Sequence, residues 1–252
     1  MSQLTLTALP DIPMIEEGDH LSEIILQSLK KVQIELQDGD VLVLAQKIVS
    51  KAEGRQVNLA DVEPSAEAIA LAEEAGKNPR LVEMILAESN KVVRKRPGNI
   101  IVEHKLGFIC ANAGIDHSNV AGKGSWVLLL PENPDASAAR LRLELEQASG
   151  ARLGVSIIDS HGRAWRNGTL GLTIGLSGLP GVVDKRGERD LFGYKLRVTV
   201  IAAADELAAG ASLMMGQVAE GTPVVHVRGF PYSLREATLA ELLRNPERDM
   251  FR

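Results

Sequence analysis

Short apolar runs with strand character alternate with helical segments along the chain, which argues for a mixed α/β fold over a helical bundle or a β-sandwich. The first run, DVLVL at residues 40–44, passes directly into AQKIVSK at 45–51. This strand-to-helix turn leaves Gln46, Lys47 and Lys51 just beyond the strand's end. Residues 63–90 read as two helices, the first stopped by Gly76, the second opened by Asn78 as N-cap with Pro79 at the first helical position. Residues 100–110 are β-rich, 127–130 form another apolar run, and 137–147 read as a helix stopped by Gly150. Residues 155–158 form a strand that ends abruptly at Asp159, Ser160, His161 and Gly162. Polar groups at a strand's C-terminal end are where α/β folds place ligands. Residues 194–203 read as a strand, Asp205 as the cap of a helix over 206–215, and 222–227 as a final strand. The charged tail, 244–252, is expected to fray.

Composition removes several function classes. With 28 Lys+Arg against 33 Asp+Glu, the net charge of -5 offers no positive field for nucleic acid or an anionic membrane. Aromatics at 3% leave little for base-stacking platforms. Cys110 is the single cysteine, so neither an internal disulfide nor a cysteine zinc site is open, and a reducing, cytoplasmic setting is the expectation. No leader pattern or bilayer-length apolar run is visible.

Several catalytic motifs are also missing. Residues 122–125 (GKGS) lack the upstream glycine of a phosphate-binding P-loop, and no GxGxxG follows a strand. The five histidines form no HExxH pair, and 175–178 (GLSG) is one residue short of a nucleophile elbow.

What remains is oxygen-rich. Asp116 and Asp159 each follow a β-like stretch and stand beside further oxygen donors, Asn119 and Ser160. Hard divalent cations take such ligands, although a turn-starting Asp116 and a helix-capping Asp159 explain the same residues. Lys47 and Lys51 share a helix face and could clamp phosphate oxygens, or simply line a solvated face. Arg163 and Arg166 bracket Trp165 and could grip an anionic substrate; an exposed loop stiffened by a partly buried Trp165 is the alternative. The 215–223 segment, MGQVAEGTP, could bring backbone amides to a nucleotide or serve as a helix C-cap and loop.

Taken in order, LPDIP, DVLVLAQKIVSKAEGR, CANAGIDHSNV, LLPENPDASA, SIIDSHGRAWRNG, DKRGERDLFGYKL and ADELAAGASLMMGQVAEGTPVVHVRG resemble the γ-glutamyl ligases of coenzyme F420 biosynthesis, from about Leu9 to Gly229. The resemblance implies GTP-dependent attachment of L-glutamate to a deazaflavin precursor through an acyl phosphate, with possible extension into a γ-linked chain. It implies two Mg²⁺ or Mn²⁺ ions, with K⁺ as a further candidate, held by Asp116, Asp159, Ser160 and Gln217. Nucleotide contacts would fall on Leu9, Pro10, Asp11, Ile12, Gln46, Lys47, Lys51, Asn119, Met215, Gly216, Gln217, Val218, Ala219, Glu220, Gly221 and Thr222. Catalytic roles would fall on Asp116, Asp159, Lys47 and Lys51, and substrate contacts on Arg163 and Arg166. Ser160 stands where many relatives are expected to carry Thr, which keeps the hydroxyl. The family also implies a mixed, non-Rossmann, non-P-loop fold in an intertwined homodimer. Residues 1–243 would be the catalytic domain and 244–252 a tail, without the flavin-binding nitroreductase-like domain of some actinobacterial relatives. A ligase with another acceptor such as a folate, a metal-dependent nucleotide hydrolase, and a non-catalytic GTP-binding protein are the competing readings.

Overall fold

The computed structural model describes residues 3–117 and 125–250. In chain order its elements are β1 (Thr5–Ala8), α1 (Leu21–Lys31), β2 (Val41–Ala45), α2 (Gln46–Ala52), β3 (Gln56–Asn58), α3 (Ala66–Ala75) and α4 (Pro79–Ala87). There follow β4 (Ser89–Arg96), β5 (Asn99–His104), β6 (Ile109–Ala111), β7 (Trp126–Leu128), α5 (Pro134–Ser149), β8 (Gly154–Arg163) and β9 (Arg166–Ser177). The last are β10 (Val183–Asp184), β11 (Val200–Ile201), α6 (Ala203–Met215) and β12 (Val224–Arg228). No helix among the described residues is long and apolar enough to cross a membrane.

The main sheet has the order β1-β12-β2-β8-β9, with every neighbour antiparallel except β2 and β8, which run parallel. Its central strand β2 is apolar at consecutive positions because both faces are covered. Leu42 and Leu44 pack with Ile25 and Leu29 of α1 and Leu141 and Leu145 of α5. Val41 and Val43 pack with Leu207, Ala208 and Ala211 of α6. A second core gathers Ala68 and Leu71 of α3, Val82 and Ile85 of α4, and Ile100 and Val102 of the β4-β5-β6 sheet. Phe108 packs against all three clusters and so joins the two assemblies.

Gly76 and Asn78 act as expected: Gly76 closes α3 in the left-handed region at φ 61°, and Asn78 Oδ1 accepts the Arg80 N–H. Ser65 Oγ adds a cap at the start of α3 by accepting the Ala68 N–H. Several other expectations need correction. Helix α4 stops at Ala87, and the next residues join β5 as strand β4, whose polar exposed face hid its strand character. Helix α5 begins earlier, at Pro134, with Asn133 Oδ1 accepting the Ala136 N–H. Strand β8 does not end at Asp159 but runs to Arg163 as a hairpin with β9, so Asp159 is a strand residue and caps no helix.

That hairpin depends on two glycines of β9. A Cβ on Gly171 would lie 2.5 Å from the Ala208 carbonyl oxygen of α6, and one on Gly175 2.5 Å from backbone of Pro134 in α5. The strand fits between the helices only without side chains there. The expected strand over 194–203 shrinks to Val200–Ile201, paired with Val183–Asp184. The rest forms an excursion in which Asp190 Oδ1 accepts the N–H groups of Phe192 and Tyr194. Helix α6 starts at Ala203, and the Asp205 carboxylate accepts the Thr173 N–H of β9 instead of capping. Part of the tail expected to fray forms a 3₁₀ turn at Pro246–Arg248.

Asp40, 1% exposed at the head of β2, ties the sheet together. It lies 2.8 Å from His226 Nε2 and accepts from Arg228 Nε at 3.0 Å and Nη2 at 2.7 Å, and from the Gln37 N–H at 3.0 Å. Burial opposes its ionisation, but the hydrogen bonds from His226 and Arg228 win and hold its pKa at about 2. Because the folded pKa lies below the unfolded one, this stabilisation is complete above about pH 4 and is lost as pH falls toward 2. Replacing Asp40 by Asn is expected to cost about 3 kcal/mol at pH 7. In denaturant unfolding the gap to the parent should narrow below about pH 4; a gap that does not change with pH would contradict this role.

Candidate functional site

A parallel strand pair delivers the residues that follow both strands to the same edge of a sheet. Here Ala45 is opposite Ile158, so α2 starts beside Asp159 and Ser160. A cavity of about 390 Å³ opens at that edge. Its walls include Ile12 and Met14 from the N-terminal segment, Gln46, Lys47 and Lys51 of α2, and Asp159 and Ser160 of β8. Ser212 and Met215 of α6 and the residues from Gly216 to Pro223 close it. Four segments far apart in sequence therefore contribute to one hollow.

Asp116 stands behind the α2 wall. Its backbone is bridged to Leu128 in both directions, at 3.0 and 2.9 Å, which fixes where its side chain emerges. Its carboxylate accepts from Gln46 Nε2 at 2.9 Å and lies 3.5 Å from Lys47 Nζ. Burial pushes its pKa up to about 6; Lys47 opposes that rise and the charge of Asp159 adds to it. Lys51 is 8% exposed, and burial, then the neighbouring Lys47 charge, draws its pKa below the usual lysine value. The site thus confines two carboxylates and two ammonium groups in a poorly solvated corner.

Successive side chains of β8 alternate between its two faces. Ser160 Oγ donates to Gln217 Oε1 at 2.8 Å, linking the strand to the loop after α6. On the other face His161 Nε2 lies 2.9 Å from Asp159 Oδ2 without the alignment of a hydrogen bond. The His161 ring leans on Phe108, which stacks on His104. Burial, with help from His161, pushes His104 down to about 4, and burial raises the Cys110 thiol to about 12, so Cys110 is no nucleophile at neutral pH.

The loop after α6 turns at Gly216 and Gly221, both at φ 71°. Glu220 folds back so that its carboxylate accepts the Val218 N–H at 2.8 Å, and backbone hydrogen bonds hold its pKa below the ordinary value. Thr222 Oγ1 donates to the Met215 carbonyl at 3.2 Å.

Not every expected residue reaches the hollow. Leu9 is fully buried in the core, the Pro10 carbonyl accepts from Ser28 Oγ, and Asp11, at φ 55°, pairs with Lys31. Of that quartet Ile12 alone lines the cavity. Arg163 and Arg166 sit at the tip of the β8–β9 hairpin and are not among the lining residues; Arg163 Nη1 donates to the Gly168 carbonyl. Trp165 between them is 82% exposed, so it stiffens no loop by burial. Asn119 lies outside the described residues. Sequence reasoning missed Met14 and Ser212 as wall residues. Helical spacing from Met215 points to Ser212, one turn earlier, whereas nothing local marks Met14.

Among the described residues no group of three or more His, Cys, Asp or Glu side chains is arranged to hold a metal. The candidate donors are a carboxylate pair with a hydroxyl and an amide, Asp116, Asp159, Ser160 and Gln217. This all-oxygen set has the chemistry that suits a hard divalent cation retaining water.

Asp116 also supplies a thermodynamic signature. A carboxylate whose folded pKa exceeds its unfolded one costs stability as pH rises through that window, here from about 4 to about 6. Asp116→Asn should therefore stabilise the metal-free chain at pH 7 by about 1–3 kcal/mol, with no gain below about pH 4. Urea unfolding in a chelator checks this; a variant less stable than its parent at pH 7 would contradict the electrostatics described.

A family model for F420-0:gamma-glutamyl ligase matches residues 11–229. The chain is 44% identical over 251 residues to the coenzyme F420:L-glutamate ligase of Methanothermobacter thermautotrophicus, covering 99% of each chain. It is 45% identical to the enzyme of that name from Methanopyrus kandleri, over 94% of this chain and 93% of the relative. The Methanocaldococcus jannaschii enzyme is 42% identical over 96% and 94%.

Proposed function

Because the chain belongs to the F420-0:gamma-glutamyl ligase family, we propose that it attaches L-glutamate to the deazaflavin coenzyme precursor in a GTP-dependent, metal-dependent reaction. The observation that carries this reading is the convergence of Lys47, Lys51, Asp159, Ser160 and Gln217 on one cavity, with Asp116 bound to two of its wall residues. A ligase of this kind needs no protein nucleophile, only a place where phosphates, a carboxylate and an amine meet.

In the proposed reaction an oxygen of the precursor's terminal carboxylate attacks the γ-phosphorus of GTP. The bond to the β-phosphate breaks, GDP departs and an acyl phosphate remains. The glutamate amine then attacks the acyl carbon; the C–N bond forms, the bond to phosphate breaks and the amine loses a proton. Lys47 and Lys51 face the cavity from consecutive turns of α2 and would offset charge on the phosphate oxygens. The low solvation that depresses the Lys51 pKa also strengthens its attraction for an anion. Asp116, Asp159, Ser160 and Gln217 would hold Mg²⁺ or Mn²⁺, which supplies further charge neutralisation on phosphate when bound. Ser160 and Gln217 already touch at 2.8 Å, so strand and loop are drawn together on the side where those ligands stand.

Met14 and Val218, 77% and 75% exposed, line the cavity and offer apolar contact to a flat ring. Homodimer formation belongs to the same proposal. Leu191, Phe192, Tyr194 and Val198 of the 185–199 excursion face solvent in a single chain, and burial against a second copy would remove that exposed apolar surface. The mixed sheet, with one parallel pair, fits a fold other than Rossmann or P-loop.

Incubation with the unglutamylated deazaflavin, L-glutamate, GTP and Mn²⁺, followed by mass spectrometry, is expected to give glutamyl mass increments that vanish when GTP or metal is omitted. Asp159→Asn should lower kcat at least about 100-fold while the protein stays folded. Increments that persist without GTP, or phosphate release that needs no glutamate, would overturn the proposal. Glutamyl transfer to a folate but not to the deazaflavin would replace the acceptor.

A further inference from the structure

The resemblance assigns Gln46 to the nucleotide, but its side chain is committed elsewhere. Gln46 is 1% exposed and Ser50, one turn later on α2, is fully buried. Ser50 Oγ donates to Gln46 Oε1 at 2.8 Å, and Gln46 Nε2 donates to Asp116 Oδ2 at 2.9 Å. A helical serine commonly turns its hydroxyl back to the carbonyl four residues earlier; here the hydroxyl reaches the side chain of that residue instead. The chemistry fixes the direction of the relay. A carboxylate accepts only, so the amide must present its nitrogen to Asp116, and its oxygen must then face Ser50, whose hydroxyl is the donor.

We propose that Gln46 and Ser50 are positioning residues for Asp116. They hold Oδ2 in place so that the carboxylate is presented in one orientation to a divalent cation, and Gln46 is not a primary contact to the nucleotide. Three features support this. The Asp116 backbone is fixed to Leu128 by two hydrogen bonds, so its side-chain torsions are the remaining freedom. Lys47 approaches Oδ1 at 3.5 Å while the relay takes Oδ2, so the two oxygens have different partners. The relay is closed to water at Gln46 and Ser50, where hydrogen bonds orient most strongly. Groups that orient metal ligands from behind typically affect metal affinity by about 10–100-fold.

This inference rests on the reading of Asp116 as a metal ligand, and the test separates the two. Mn²⁺ alone is titrated into the full-length chain, with free Mn²⁺ read by electron paramagnetic resonance, for the parent, Asp116→Asn, Gln46→Met and Ser50→Ala. Melting of each variant in chelator confirms folding, and the milder Ser50→Ala carries the test should Gln46→Met fail to fold. GTP affinity is measured separately in chelator. The expected result is weaker Mn²⁺ binding in all three variants, by about tenfold or more in Gln46→Met and Ser50→Ala, with metal-free GTP affinity unchanged in those two. Normal Mn²⁺ binding by Asp116→Asn would overturn the ligand reading and the relay with it. Weak binding by Asp116→Asn beside normal binding by the other two would overturn the relay alone. A Gln46→Met protein that loses metal-free GTP affinity while keeping its Mn²⁺ affinity would return Gln46 to the nucleotide.

Discussion

The parallel register of β2 against β8 is the constraint on which the rest of the molecule turns. With Ala45 opposite Ile158, the first turn of α2 and the polar half of β8 must leave the sheet at one edge. Everything chemically interesting follows from that adjacency: two lysines from the helix, an aspartate and a serine from the strand, and a hollow between them. Had the strands been antiparallel, those groups would stand at opposite ends of the sheet. The buried Asp40–His226–Arg228 cluster reinforces the register from the other end of β2 by tying it to β12.

The second assembly, built on α3, α4 and the β4-β5-β6 sheet, gives the site its remaining carboxylate. Asp116 is bridged to Leu128 of β7, and β7 pairs with β3 directly downstream of α2. The chain thus loops away from the main sheet after α2 and returns Asp116 to the same helix. Phe108, shared by all three hydrophobic clusters, stacks on His104 and meets the His161 ring at a tilt where the two assemblies join. Burial raises the pKa of the Asp116 carboxylate to about 6 even with the Lys47 ammonium 3.5 Å away.

Much of this was legible in the residues themselves, and the failures have physical causes. DVLVL announced a strand, and Gly76, Asn78 and Gly150 marked helix ends through their own hydrogen-bonding and φ preferences. The extent of β8 beyond Ile158 was hidden because Asp, Ser, His and Gly are poor strand formers; the partner strand β9, absent from any local window, decides that they pair. The apolar alternation after Tyr194 misled for the opposite reason: strand-like residues there find little to pair with in a single chain. Asp116, Asp159, Ser160 and Gln217 could be picked out as oxygen donors, but their common location depends on tertiary structure. Leu9 and Asp11, by contrast, belong to a motif that matches as sequence while Leu9 packs in the core and Asp11 faces solvent.

The central claim is that Asp116 and Asp159, brought together by these two assemblies, form one cation site at the sheet edge. Anomalous diffraction from crystals of the full chain grown with Mn²⁺ and GDP tests it most directly. The account predicts an anomalous peak between the two carboxylates, bounded by Ser160 and Gln217. Manganese at full occupancy elsewhere on the molecule, with no peak between those aspartates, would contradict it.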